Sequence, residues 1–560
     1  MTRETPAQAA APITPADYLR ANSDAYEWLV AQIRRVAARR EPEAVLDCVA
    51  SAARFAAEFH PGRFADGAIE NLALDIGRRL EAICDVAQER LDAPVVRADG
   101  RRRVLHVAPN VSLGGHTPLM RHWVETDRSS CHSLVLLDQK APVPGAWLDT
   151  IRSSGGCLVA LPPSSPLQTA RRLREVSRRS ADLVAWHVIG ADVIPTVAWA
   201  APDLPPVALV DHCDHQFWLG SSVADVLVNL RSIGSEHTAE RRYAQRQFVL
   251  PIPLVDDRLD IPREAARQEL PIGSDQIVLL SVGRERKYRP CGRYDFAATA
   301  WRVLECEPRA HLYVLGASAS GIAPYLRGRV HPRLHFMGRV DGRPLLLYRA
   351  AADVYLESFP YGSQTALLEA GLSGLAAVPS YAPLSPMLVA HDDAVADLVV
   401  NPKDEEAYVT RVATLVRNPE QRAELGRALR DRLIVDHVGR GWMSHLASLY
   451  GATDGLVHCP RPIPDSTCQP TPADVGLGLW SAVGDGRTSA GEAALGSREG
   501  TLRHEAFVAR SVGDYPTARR AAWRAARRDP RQLASWRLLA VSLLGRWSGR
   551  LRRVIPTLQT

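Results

Sequence analysis

Seven short runs of aliphatic residues, each followed by a helix-length stretch, constrain this chain more than any other feature. They read RVLHVAP, HSLVLLD, CLVALPP, ADLVAWHV, PVALVDHC, DVLVNLRS and QFVLPIP between residues 103 and 253. Near-continuous apolar runs of about 5–8 residues suit strands buried on both faces, and helical spacers supply the crossovers that parallel strands need. After a polar, proline-containing link at 254–275 the pattern restarts with QIVLLSVG, HLYVLGAS, RLHFMGRV, DVYLESFP, AAVPSY and DLVV. Long helical stretches from Asp404 to Gly451 close it. The expected fold class is α/β, with two doubly wound, Rossmann-like domains (99–254 and 255–455) facing across a cleft lined by the carboxyl ends of their strands.

The flanks read differently. In residues 1–98, Leu29, Ile33 and Val36 recur at helical spacing, as do Ile69, Leu72, Ile76, Leu80 and Ile83, with a turn at Pro61-Gly62. No catalytic constellation falls there, so a docking or oligomer-forming role is expected. Residues 456–500 hold five prolines and seven glycines and read as a linker. In 501–560, GDYPTARRAAWRAARRDP resembles one tetratricopeptide (TPR-like) helical hairpin. A lone repeat cannot bury its own face and should pack on the body or on a partner.

Composition sets the compartment. The 560 residues are 46% hydrophobic, enough for several cores, and the nine cysteines show no C-x-x-C spacing. The amino-terminal segment MTRETPAQAAAPITPADYLRAN lacks a cationic start followed by an apolar core, and the longest apolar stretch is interrupted by Asp182, His187, Asp192 and prolines. A cytoplasmic protein is expected. Residues 501–560 carry 13 Arg, no Lys and three acids, a net of +10 that leaves −4 on the first 500. Such a segment is either a solvated helix face or a contact for an anionic surface, which would place the protein peripherally at the inner face of a membrane. No nucleic-acid partner is expected.

Four stretches at predicted strand ends can carry chemistry. In APNVSLGGHTPLM, Gly114 and Gly115 permit close backbone approach and His116 opens a helix, either as its cap or as a cleft residue. In VDHCDHQFWLG, His212 and His215 cannot both face the cleft, and His215, beside Phe217-Trp218, is the preferred cleft residue over a structural role. In LLSVGRERKYRP, Arg284 and Lys287 follow the strand-ending Gly283, placing cations where a diphosphate needs neutralising, the alternative being solvated surface charge. In ESFPYGSQTALLEAGLSG, Gly362, Ser363, Gln364 and Thr365 offer backbone N–H groups at a helix start, and Glu369 lies one turn on, suited to vicinal hydroxyls. No carboxylate pair stands out for a metal, and none is expected.

Together SFPYGSQTALLEAGLSG, RERKYRP and GGHTPLM resemble the GT-B glycosyltransferases, most closely the O-GlcNAc-transferase-like group with its bacterial cytoplasmic glucosyltransferases. The resemblance covers roughly residues 103–451. It implies Thr365 for phosphate, Glu369 for ribose, Lys287 with Arg284 for the diphosphate, and His116 on the acceptor side. It also implies that the backbone of Gly338, Arg339 and Val340 reads the base. Two positions depart from the pattern: the second glutamate of retaining enzymes, counted back from Glu369, falls on Tyr361, with Glu357 too far away, and the usual Thr-Thr is Thr365-Ala366. The expected activity is metal-independent transfer of a hexose or N-acetylhexosamine from a nucleotide-diphosphate sugar, a UDP-sugar, to an acceptor hydroxyl, with His116, His215 and Lys287 catalytic and no bound cofactor. The acceptor would be a cell-envelope glycan, a lipid-linked glycan or a protein. A nucleotide-sugar epimerase and a non-catalytic scaffold on the same fold are the alternatives.

Overall fold

The structure, a computed structural model, describes residues 14–83, 100–111, 116–188, 190–326, 331–468, 470–484, 490–511, 513–530 and 532–544. All seven apolar runs of the first half form strands: β1 Arg103–Ala108, β2 Cys131–Leu136, β3 Leu158–Ala160, β4 Leu183–Val188, β5 Val207–Asp211, β6 Val226–Asn229 and β7 Gln247–Val249. They make one wholly parallel sheet in the order β3-β2-β1-β4-β5-β6-β7. The second half gives β8 Ile277–Val282, β9 Ala310–Leu315, β10 Leu334–Gly338, β11 Val354–Leu356 and β12 Ala376–Val378, also parallel, in the order β10-β9-β8-β11-β12.

The run DLVV does not become a sixth strand. Residues 397–400 pass through a turn: Leu398 and Val399 pack half-buried on the core without pairing to a strand, and Val400 is exposed. In both sheets the strand order reverses beside the first strand, between β1 and β4 and between β8 and β11. Loops leaving those strand ends diverge and open a crevice.

The two sheet domains are tied together on one side by the closing helices. Leu254 at the domain junction takes a backbone bond to His437 at 2.8 Å. The helix Gly439–Thr453 returns to the first domain, where Trp442 donates to the Pro251 carbonyl at 2.7 Å and packs edge-on against Trp123 at 5.9 Å.

Helices Pro15–Ala37, Pro42–Glu58 and Gly67–Arg78 occupy the amino-terminal region, and Leu29, Ile33, Ile69, Ile76 and Leu80 are buried as their spacing requires. The side chain of Val36 lies outside the described residues. These helices dock on the first sheet domain through Gly77, where an added Cβ would sit 2.5 Å from the Val197 carbonyl. Beside it the buried Arg174 donates to the carbonyls of Gly77 (2.6 Å), Val197 (2.9 Å) and Ala198 (2.7 Å).

The stretch expected to be a linker is a structural part of the body. Residues 456–468 run as an extended strap along the amino-terminal helices: Asn71 exchanges two hydrogen bonds with the Ile463 backbone (2.9 and 3.1 Å), and the Gly67 N–H donates to Pro464 at 2.9 Å. Its prolines suit this extended path and leave few N–H groups to satisfy. A helix, Pro472–Gly484, follows, and the next, Ala490–Ser511, runs through the expected boundary at residue 500 and packs on the first two helices of the chain.

Tyr515–Arg528 and Leu533–Leu544 complete a carboxyl-terminal helical group. In the former, Ala518, Ala521, Ala522, Ala525 and Ala526 are buried while its arginines turn outward beside the half-exposed Trp523. The arginines at 531, 546, 550, 552 and 553 lie outside the described residues. No helix among the described residues is long and apolar enough to cross a membrane.

Candidate active site

The crevice of the second sheet is built where β8 and β11 end. Gly316 has φ of +91°, and a Cβ there would lie 2.4 Å from the Gly283 carbonyl; Gly283 in turn meets Ser363 Oγ, which a Cβ would approach to 2.7 Å. Glycine at both positions lets the loop after β8 lie directly on the start of the helix Gln364–Leu372.

Lys287 projects into this junction. Its Nζ donates to the Gly362 carbonyl at 2.8 Å and sits 4.5 Å over the Tyr361 ring. Burial pulls its pKa down to about 8; Glu357 opposes the fall, and Arg284, Arg286 and Arg231 add to it.

Glu357, which sequence reasoning set aside, is central to the geometry. It is buried, and its Oε1 accepts from the N–H groups of Ser358 (2.7 Å) and Ser363 (2.6 Å) and from Ser358 Oγ (2.9 Å). Oε2 has no hydrogen-bond partner among the described residues. Burial raises its pKa against those bonds and the Lys287 charge. The sequence signal was an acid closing an otherwise apolar strand run.

The remaining donor-side residues are placed unevenly. Gln364 is bound to the loop after the helix Pro386–Leu388: its amide donates to the His391 carbonyl, and its Oε1 accepts from the His391 N–H at 3.3 Å. Thr365 is half-buried, and no hydrogen bond of its side chain forms among the described residues. Glu369 is in contact with the buried guanidinium of Arg349, which also lies 3.7 Å from Asp257. Arg284 and Arg339 are exposed, the latter paired with Asp341. Gly338, with φ of +70°, ends β10 and donates to the Ala317 carbonyl at 2.8 Å.

Facing this wall are the strand ends of the first sheet. His116 is buried and donates from Nε2 to the Asn110 carbonyl at 3.0 Å. Burial lowers its pKa, the Asn110 bond opposes this, and the Arg284 charge from the second domain lowers it further. Gly114 and Gly115 lie outside the described residues.

His215 is also buried, its ring 4.9 Å from Tyr361 and 5.5 Å from Trp480. Its neighbour Asp214 binds Arg231, which reaches across to accept-only groups of the second domain, the carbonyls of Met387 (2.9 Å) and Val389. Trp480 belongs to the stretch read as a linker. Its ring packs tilted against Tyr361 at 4.6 Å and under Arg286 at 4.4 Å, so the helix Pro472–Gly484 supplies part of the site wall.

A cavity of about 620 Å³ opens beside these groups, lined among others by Arg54, Glu58, Asp138, Asp192, Gln216 and Arg286. The amino-terminal helices thus contribute to its rim. Burial raises the Asp192 carboxyl to about 6, opposed by the Ile194 N–H at 2.8 Å.

Residues 276–418, which span β8 to the helix Glu405–Arg417, match the family model described as Glycosyl transferases group 1. The match lies in the second sheet domain. Lys287, Glu357, Gln364, Thr365 and Glu369 all fall inside it, and the two facing parallel sheets give the chain the GT-B architecture. No curated protein matches the chain. Among solved structures it is similar to a mutant O-GlcNAc transferase of Thermobaculum terrenum, at 18% identity and TM-score 0.48 over 79% of this chain and 84% of that one. It is similar also to a glycosyltransferase of Rickettsia africae ESF-5, at 10% identity and TM-score 0.49 over 64% of this chain and 99% of that one. A third is WaaG, a glycosyltransferase of lipopolysaccharide biosynthesis, at 14% identity and TM-score 0.43 over 62% and 100%.

Proposed function

We propose that the protein transfers a hexose or N-acetylhexosamine from a UDP-sugar to an acceptor hydroxyl. The observation that carries this reading is Lys287, half-buried and bonded to the Gly362 carbonyl at the helix start that follows β11. In that position its ammonium, with Arg284, neutralises the diphosphate as it leaves, and the first N–H groups of the helix Gln364–Leu372 supplement them. Thr365 adds a hydroxyl to the phosphate. Glu369, oriented by Arg349, accepts from the ribose hydroxyls, and the Gly338–Arg339 backbone meets the base.

His116 and His215 stand on the acceptor side. The acceptor oxygen attacks the anomeric carbon, its proton passes to a cleft base, and the bonding electrons leave with the diphosphate. Cations and backbone N–H groups stabilise the leaving charge in this scheme, and no bound cofactor takes part. A glycan, a lipid-linked glycan or a protein supplies the hydroxyl, and the cavity rimmed by Arg54 and Glu58 has the size to admit it. The outward arginines beside Trp523 would let a cytoplasmic enzyme touch an anionic membrane face.

The test is a thermal-shift screen against UDP, GDP, dTDP and ADP, repeated with Glu369→Ala. A ligand present at a hundredfold excess over its dissociation constant stabilises the native state by about 2.7 kcal/mol. Stabilisation by UDP that is lost in the variant supports the reading, and no response to any nucleotide would overturn it.

A further inference from the structure

Four histidines form a continuous hydrogen-bonded row through the first sheet domain. His212 Nε2 meets His187 Nδ1 at 3.0 Å, His187 Nε2 meets His106 Nδ1 at 3.0 Å, and His106 Nε2 meets His132 Nδ1 at 3.0 Å. His132 Nε2 then reaches the Asp127 carbonyl at 3.1 Å and its carboxylate at 3.3 Å. The row starts just after β5 and crosses β4, β1 and β2. His106, His132 and His187 are fully buried, and Trp123 covers His106 and His187 edge-on.

While all four rings are neutral, one end fixes every proton in the row. A backbone carbonyl can only accept, so His132 carries its hydrogen on Nε2. A neutral ring has one N–H, so His132 Nδ1 must accept from His106, which must then accept from His187, and His187 from His212. All four rings are therefore Nε2–H tautomers, and the last lone pair in the series is Nδ1 of His212.

That atom has no hydrogen-bond partner among the described residues, and the His212 ring lies 6.0 Å from that of His116 at the cleft. At the opposite end, the Asp127 carboxylate accepts from Ser129 Oγ (2.6 Å), the Ser129 N–H (3.0 Å) and Tyr450 OH (2.8 Å). Burial works against its charge, and the bonds from His132 and Ser129 more than offset it, holding the carboxyl below its ordinary range. Burial pushes His106, His187 and His212 well below the usual imidazole value, so charge is poorly held on those three.

Building on the glycosyl-transfer reading, we propose that this row is a proton relay, in which His212 takes the acceptor-hydroxyl proton and the row delivers the charge to His132 beside Asp127. As the acceptor oxygen bonds to the sugar and the diphosphate departs with its electron pair, the hydroxyl proton binds His212 Nδ1. The Nε2 hydrogens of His212, His187 and His106 then each move one ring along. The row ends with a single imidazolium at His132, paired with the Asp127 carboxylate. The proton returns by the same path when product leaves.

His106, His187 and His132 act through His212, so they are positioning residues, and the test needs a readout beyond loss of rate. UDP release from UDP-glucose and UDP-N-acetylglucosamine is measured for the full chain, alongside UDP affinity, in mixtures of H2O and D2O. His106→Phe keeps the ring volume under Trp123 but cuts the row. It should lower kcat roughly a hundredfold, the usual worth of a positioned base, leave UDP affinity unchanged, and convert a curved dependence of rate on deuterium fraction into a straight one. Asp127→Asn, which keeps the shape of the site, should do the same should His106→Phe fail to fold. A turning-over wild type matched by both variants would sink the relay alone. A wild type that releases no UDP from either sugar would remove the glycosyl-transfer reading and the relay with it. Independently of turnover, 15N spectra of histidine-labelled protein should show the four rings as Nε2–H tautomers, and Nδ1–H signals from His106 or His187 would overturn the relay.

Discussion

The ammonium of Lys287 lies 2.8 Å from the carbonyl of Gly362, so one hydrogen bond joins the loop after β8 to the turn before the helix Gln364–Leu372. Removing the side chain cuts that joint and removes the cation. Lys287→Ala should weaken UDP binding by about 1.5–3 kcal/mol, the range for hydrogen bonds to charged groups, or roughly ten- to a hundredfold in dissociation constant. Isothermal titration reads it directly.

The same lysine gives the donor site a pH limit. With its pKa drawn down to about 8 by burial, Lys287 is charged below that pH and loses its proton above it. UDP affinity should therefore fall as pH rises through about 8. A guanidinium stays charged throughout that range. Lys287→Arg should flatten the fall, and titrations between about pH 6.5 and 9.5 decide it.

The Glu357 carboxylate opposes the loss of that lysine's charge. In Glu357→Gln the nearby anion is gone, Lys287 titrates lower still, and the fall in UDP affinity should begin below pH 8. Glu357→Ala additionally orphans the Ser363 N–H, which should cost about 1–3 kcal/mol of stability, measurable by urea unfolding.

Trp480 joins three parts of the chain at one point, packing on His215 of the first domain and Tyr361 of the second from a helix beyond both. Trp480→Ala should destabilise by about 3–5 kcal/mol, as large buried aromatics do, and weaken UDP binding by freeing Arg286. Trp480→Phe should recover most of both. Equal melting temperatures for wild type and Trp480→Ala would show that the helix does not hold the site.

His437 donates on both sides, to the Ile252 carbonyl at 2.8 Å and to Asp392 at 3.1 Å, so it carries two protons. Burial opposes that charge, but Asp392 and Ile252 raise the pKa above its ordinary value. A raised folded-state pKa gives stability that is complete below the unfolded value of about 6.5 and is lost as pH rises through the folded one. Unfolding free energy should therefore decline from about pH 6.5 upward, and less so in His437→Gln.

Much of the donor site was legible because it depends on local chemistry. Strand ends marked by Gly283, the cations that follow, and the small polar residues opening the helix at Gln364 are contiguous in the chain. Glu357 was not legible, since counting along the chain placed it too far from Glu369, while the turn folds it back onto Ser363 and toward Lys287. Glu369 was read as a free carboxylate, and only the fold brings Arg349, twenty residues earlier, against it.

The sequence by itself determined the elements and their class: continuous aliphatic runs admit little but buried parallel strands, and twelve of the thirteen runs became them. DLVV failed because its Leu398 and Val399 meet the core through a turn with no neighbouring strand to pair with, which no run can guarantee for itself. Tertiary structure alone decided what the proline-rich stretch 456–500 does, because proline and glycine report only that a segment is not a regular strand or interior helix. Whether such a segment hangs free or straps two domains depends on surfaces hundreds of residues away, such as Asn71 for Ile463 and Tyr361 for Trp480. The histidine row has the same origin. Its four rings sit 26, 81 and 25 residues from their partners, and only the parallel sheet, with each ring two residues off its neighbour's paired position, brings them into line.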